Sequence, residues 1–334
     1  MQQGKQSILF KQAPYIRSYA SVVGKKEGEG PLGSYFDKII PDPTFGEKTW
    51  ELAESRFQLE ALSIALEKGK LKKEDIRYLF AGDLQGQLVG TTFAMKDIGI
   101  PMFGLYGACS TMGESLALAA MTVSAGYADE VAAVTSSHLG SAEKNFRYPL
   151  EYGNQRPLSS TWTVTGGGAF IVSSSQGSVR IKGITTGTIK DYGIKDSMNM
   201  GAAMAPAAAD VIYQNLQDMD WQPEDYDQII TGDLGSVGQE ILIKLLKDNH
   251  YDISNIHMDC GMKIYDNETQ DTHAGGSGCA CSAVTLAGYG MEKLMKKEWH
   301  RILFVPTGAL LSTVSFNEGQ SVPGIAHGVI LERQ

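Results

Sequence analysis

One strand-to-helix turn occurs twice in this chain, and that repetition constrains the fold more than any other feature. Gly107-Ala108-Cys109-Ser110 aligns with Gly278-Cys279-Ala280-Cys281 at an offset of 171 residues. At the same offset Val131-Ala132-Ala133-Val134 falls on Ile302-Leu303-Phe304-Val305. Upstream, Leu79-Phe80-Ala81-Gly82-Asp83-Leu84 resembles Ile229-Ile230-Thr231-Gly232-Asp233-Leu234 at an offset of 150, so the second copy carries an insertion between the blocks. Matched blocks in the same order argue for a duplicated α/β unit of strand, loop, helix and strand. The chain then divides into residues 1–176, with the Cys109 turn, and residues 177–334, with the Asp233 and His273 loops. Gly177 to Arg180 is the turn between them.

The turn itself carries chemistry. Pro101 to Tyr106 reads as a short strand, and Thr111 to Met121 is rich in the helix formers Ala, Leu and Met. Small neighbours let a strand pass straight into a helix and hold the residue between them at the rim, the logic of a nucleophile elbow. A thiol there meets the positive end of the helix dipole, which favours thiolate. A buried cysteine acting as a small apolar residue fits the local sequence equally well. The repeat favours the reactive reading, because the second copy has Ala280 where the first has Cys109. One site near the junction of the halves is expected.

Composition excludes several classes. The formal charge of −9 disfavours non-specific nucleic-acid binding, and an anionic ligand would need a local basic pocket working against the overall field. Four cysteines, at 109, 260, 279 and 281, form neither a CxxC nor a zinc spacing, which suits a reduced, intracellular setting. Met1-Gln2-Gln3-Gly4-Lys5 leads into no apolar signal core. No apolar run approaches the ~18–20 residues of a membrane span, so any membrane role is expected to be peripheral.

Along the chain, residues 14–48 read as a Gly- and Pro-rich loop or flap. Thr49 caps a helix running to Leu66, with a stripe of Leu52, Leu59, Leu62 and Leu66. Strands are expected over 76–80, 131–134, 229–231 and 302–305, and helices over 207–216, 238–248 and 282–297. Residues 136–163 read as a long polar loop, of the kind that is functional or flexible when found inside a compact domain. Asp271 to Gly278 is a glycine-rich loop entering the second turn, and Val322 to Leu331 is a closing strand.

The cysteine elbow, the duplicated halves, Thr272-His273-Ala274-Gly275-Gly276-Ser277-Gly278 and Thr163-Val164-Thr165-Gly166-Gly167-Gly168-Ala169 together resemble the thiolase superfamily of condensing enzymes. The resemblance implies an α/β fold of two pseudo-symmetric halves layered αβαβα. It also implies a departure. Where those enzymes carry a first second-half catalytic residue, usually histidine, the matching loop here holds Asp233. An ionised carboxylate can only accept hydrogen bonds and opposes a developing oxyanion. His273 matches a later catalytic position and could pair with Cys109 as thiolate and imidazolium. Decarboxylative condensation is therefore not expected, although acyl transfer through Cys109 remains the rival reading.

Longer strings are more specific. Gly104-Leu105-Tyr106-Gly107-Ala108-Cys109-Ser110-Thr111-Met112-Gly113-Glu114, Phe146-Arg147-Tyr148-Pro149-Leu150-Glu151-Tyr152-Gly153, Gln155-Arg156-Pro157 and Thr161-Trp162-Thr163-Val164-Thr165-Gly166 resemble the stage V sporulation protein AD family. That resemblance implies binding of dipicolinic acid and support of its uptake into the forespore with other stage V sporulation membrane proteins. It implies no cofactor beyond calcium accompanying the ligand, and a homodimer is compatible with it. The expected ligand-binding residues are Cys109, Asp233, His273, Arg147, Arg156 and Asp83. Arginine offers bidentate hydrogen bonds to a flat dianion and neighbouring aromatics offer stacking. For Arg147 and Arg156 an anchoring role toward Glu143 and Glu151 stands beside this one. For Asp83 the bracing of a turn does the same. His138 is balanced between site residue and loop hydrogen-bonder, and His327 is expected to pack in the core.

Overall fold

The computed structural model describes residues 1–146 and 154–334. Ten strands form its frame: β1 Tyr15–Gly24, β2 Tyr78–Gly82, β3 Met102–Gly104, β4 Glu130–Ser137, β5 Gly166–Ser173, β6 Val179–Thr186, β7 Gln228–Thr231, β8 His257–Asp259, β9 Arg301–Val305 and β10 Gly324–Arg333. Their spatial order is β8-β7-β9-β10-β6-β1-β5-β4-β2-β3. From each outer edge inward the pattern is the same. Two parallel pairings come first (β3–β2–β4 and β8–β7–β9), then two antiparallel ones (β4–β5–β1 and β9–β10–β6). The symmetry extends to irregularities, with register shifts at Ile16/Ser18 in β1 and at Ile181/Gly183 in β6. The two sets meet where β6 pairs with β1 through Val179–Ile16 and Arg180–Tyr15.

Six helices matter for the site: α1 Trp50–Gly69, α2 Thr111–Ser124, α3 Leu139–Phe146, α4 Met200–Met219, α5 Gly235–Asp248 and α6 Cys279–Thr285. Helix α1 lies on β5, β1 and β4, and α4 lies on β10 with α5 beside it. Between the sheets, α2 touches β4 and β2 of its own half and β10 of the other, while α6 packs on β5, β4 and β1. The layers are helix, sheet, helix, sheet, helix. Strands covered on both faces should read as unbroken apolar or small-residue runs. All eight residues of β4, EVAAVTSS, are buried accordingly.

Three local expectations are corrected. Residues 15–24 are not a loop but a ten-residue strand in the middle of the sheet; Arg17, Ser18 and Ser21 interrupt its apolar pattern and hide it. The buried face of α1 is Ala53, Phe57, Ala61, Ala65 and Gly69 rather than the leucine stripe, of which Leu62 alone is buried. Small side chains let the helix lie close to the sheet: a Cβ at Gly167 would meet the Phe57 carbonyl oxygen at 2.7 Å. Within the expected polar loop 136–163, residues Leu139–Phe146 form α3.

Candidate functional site

The Cys109 turn is built as the sequence suggests, with its strain one residue early. Ala108 has φ +48°, in the left-handed region that L-residues avoid. Side chains of the next turn hold it there: Thr111 Oγ1 donates to the Ala108 carbonyl at 2.6 Å and accepts from Gly107 N at 3.1 Å, and Ser110 Oγ donates to the Gly107 carbonyl at 2.6 Å. Helix α2 starts at Thr111. Cys109 lines a narrow cavity of about 50 Å3 together with Leu84, Phe146, Met198, Met200, Leu311 and Ser277. That volume holds a water or two, against ~300–1,000 Å3 for an ordinary ligand pocket. Glu143 is the one ionised-type side chain among the described lining residues besides the cysteine; no described Lys, Arg or His reaches the wall.

The thiol does not meet the expected environment. Its nearest polar neighbours are Ser277 Oγ, at 3.8 Å, and the Asp233 carboxyl. Burial, followed by the charge of Asp233, drives the Cys109 thiol far above the ordinary range. The helix dipole would lower it, but a half-charge at the first turn is outweighed by desolvation and an adjacent carboxylate. Burial and the neighbouring carboxyl thus work against the expected thiolate.

Asp233 follows β7 and is 1% exposed. Its Oδ2 accepts from Ser277 Oγ at 2.8 Å and Gly278 N at 3.0 Å, and its Oδ1 accepts from Thr307 Oγ1 at 2.8 Å. The carboxyl ties three loops together, and its oxygens are turned to protein donors rather than to the cavity. Burial raises its pKa while those donors and the Cys109 thiol oppose the rise. Asp83 holds the equivalent place in the first half. Its oxygens accept from Gln85 N and Thr91 N, both at 2.7 Å, so it braces the turn after β2 and is wholly buried. Against it lies Glu54, bonded by Gln85, Ser136 and Ser141 and pushed by burial, then by the Asp83 charge, up to about 8.

His273 is not brought to Cys109. Its Nδ1 bonds the Pro157 carbonyl at 2.9 Å, and its Nε2 faces Asp271 at 3.1 Å. Arg156 joins the same carboxylate: Nη2 donates to Asp271 Oδ2 at 2.8 Å and to its carbonyl at 2.9 Å. The guanidinium lies over the Trp162 ring, 4.9 Å from its centre. Arg147 lies outside the described residues. Of the six expected ligand residues, then, Cys109 lines the cavity, Asp233 backs it, Asp83 is a buried brace, and His273 and Arg156 form a separate cluster around Asp271. His138 is a loop hydrogen-bonder, with Nε2 to the Pro43 carbonyl at 2.8 Å, and His327 is a partly buried strand residue lowered to about 4 by burial.

Ser277 and Thr307 were missed. Ser277 stood inside the quoted glycine-rich motif, whereas Thr307 and the cavity methionines carry no local signal. Among the described residues no group of three or more His, Cys, Asp or Glu could hold a metal ion, and no helix is long and apolar enough to cross a membrane.

Comparison with known proteins places this geometry. Among solved structures, a structure of Xanthomonas campestris OleA matches 97% of this chain and all of its own, with a TM-score of 0.62 and 14% identity. The 3-oxoacyl-[acyl-carrier-protein] synthase III of Aquifex aeolicus matches 96% of this chain and all of its own, with a TM-score of 0.55 and 16% identity. At such identities they show the fold, which is thiolase-like. The family profile described as Stage V sporulation protein AD (SpoVAD) matches residues 4–332. The Stage V sporulation protein AD of Bacillus subtilis (strain 168) is 43% identical over 330 residues, covering 99% of this chain and 97% of that protein. A thiolase-like frame with a capped elbow thiol is thus carried by a member of the stage V sporulation protein AD family.

Proposed function

We propose that this protein binds dipicolinate and serves its uptake into the forespore, as a binder and not as a condensing enzyme. Family membership supports the sporulation role. The observation that carries the rest is the geometry of the elbow: the buried Cys109 thiol lies beside Ser277 and the Asp233 carboxyl, burial and that carboxyl hold its pKa up, and no described histidine lines its cavity to take its proton. An acyl thioester placed there would meet neither a thiolate nor a donor at the Asp233 position.

The cavity beside Cys109 is the inner binding position on this reading. Ser197 and Met198, from the segment before α4, line it and would have to move aside for a ligand the size of dipicolinate. Calcium would travel coordinated by the dicarboxylate, and other stage V sporulation proteins at the membrane would receive it. Intact-mass spectrometry after incubation with acyl-coenzyme A and a malonyl donor tests the assignment. The expected result is no acyl adduct on Cys109 and no condensed product. Turnover by the unmodified protein would overturn it in favour of acyl transfer.

A further inference from the structure

A second cavity lies on the far side of the strand that walls the Cys109 site. In the pair Trp162-Thr163, Thr163 faces the inner cavity and Trp162 faces outward. The outer cleft encloses about 470 Å3, within the range of ligand pockets, and Trp50, Trp162, His138, Lys25 and Lys26 line it. Lys26 Nζ sits 4.1 Å from the centre of the Trp162 ring and donates a hydrogen bond to the Gln270 carbonyl at 2.5 Å. Arg156 lies over the same indole, its side chain 5% exposed and its Nε and Nη1 without hydrogen-bond partners among the described residues. Two cations thus converge on one ring.

The acidic groups nearby leave that charge incompletely met. Asp271 is shared between Arg156 and His273. Glu27 is turned inward, fully buried and bonded to Tyr265 and Thr165 N. Glu29 approaches Lys25 at 3.7 Å in a highly exposed pair, of the kind that contributes little. The other wall is neutral and aromatic: Trp50 stacks on His138 at 5.3 Å, and the imidazole is spent on the Pro43 carbonyl and Gly140 N.

We infer that this outer cleft is a second binding site, for a planar aromatic carboxylate whose ring packs against the tryptophan-lined wall while its carboxylates meet Lys25 and Lys26. The ligand class rests on the dipicolinate reading above; the site does not depend on Cys109. Aromatic side-chain contact and charge-assisted hydrogen bonds are both on offer here, whereas the inner cavity has no described cation.

Calorimetry with dipicolinate, followed in parallel by tryptophan fluorescence, tests it on the full chain. The wild type is expected to take two equivalents, one of them quenching the indoles. Lys25→Gln with Lys26→Gln, changes outside the core, should weaken the quenching site at least ~10-fold, the loss of charge-assisted bonds to a carboxylate. Cys109→Met should remove the other equivalent and keep the quenching one. Glutarate, with two carboxylates and no ring, should not compete at the cleft. Binding lost with Cys109→Met and untouched by the lysine substitutions would overturn the cleft and leave the proposed function standing. No saturable binding by the wild type would overturn both.

Discussion

At the residue scale, one buried carboxyl dominates the surroundings of the elbow thiol. Asp233 holds Ser277, Gly278 and Thr307 in place and sits beside the thiol it would otherwise have to activate. A thiol pushed far above its usual range by burial should be a poor nucleophile. We expect iodoacetamide near neutral pH to leave the native protein unlabelled over a period in which the denatured chain takes up four labels, one for each free cysteine. Rapid single labelling at Cys109 in the native state would contradict this. A second residue-scale consequence concerns pH. Glu54 is raised from 4.5 to about 8 in the fold, chiefly by burial, so the native state holds a proton that the unfolded state releases. The stability this contributes is complete below the ordinary carboxyl range and is lost as pH rises through about 8. Melting temperature should therefore fall between about pH 5 and pH 8.5. Glu54→Gln, whose amide can donate toward Asp83 without ionising, should flatten that fall. Parallel curves for the two proteins would rule the pair out as its source.

At the element scale, the sequence showed what is periodic or repeated and hid what is contextual. The two turns, β2, β4, β7 and β9 were legible because both copies carry the same apolar blocks. Strand β1 was not, because its serines find partners that only the fold supplies: Ser18 Oγ donates to the Ala65 carbonyl, and Ser21 Oγ accepts from Asp37 N. The site divided in the same way. Cys109 and Asp233 were legible from their motifs, but the expected meeting of Cys109 with His273 was not realised. His273 is held instead by the carbonyl of Pro157, 116 residues away along the chain, a contact that no local pattern announces. Backbone packing at the elbow is close enough to test. A Cβ at Gly308 would meet the Gly107 carbonyl oxygen at 2.2 Å, against the strained turn itself. Gly308→Ala should cost roughly 1–3 kcal/mol in denaturant unfolding. Gly86→Ala, with nothing within 4 Å, should stay within about 0.5 kcal/mol of wild type. Equal effects would mean that the elbow is not tightly held.

At the scale of the whole molecule, the central helices decide how the halves behave. Helix α2 touches strands of both halves, and α6, from the second half of the sequence, packs on β5, β4 and β1 of the first. Neither sheet can lose this layer and keep its buried face. Unfolding should therefore be one cooperative transition, with far-ultraviolet circular dichroism and tryptophan fluorescence coincident. Two resolved transitions would show that the halves are independent. The same interleaving places the thiol and its carboxyl neighbour at the joint of the halves, with the outer aromatic cleft on the first half beside it. The central claim is that the capped site now serves a ligand and not a reaction. Calorimetric titration of the wild-type protein with dipicolinate tests it most directly: saturable binding in the absence of any acyl donor is the predicted result, and a flat titration would contradict the account.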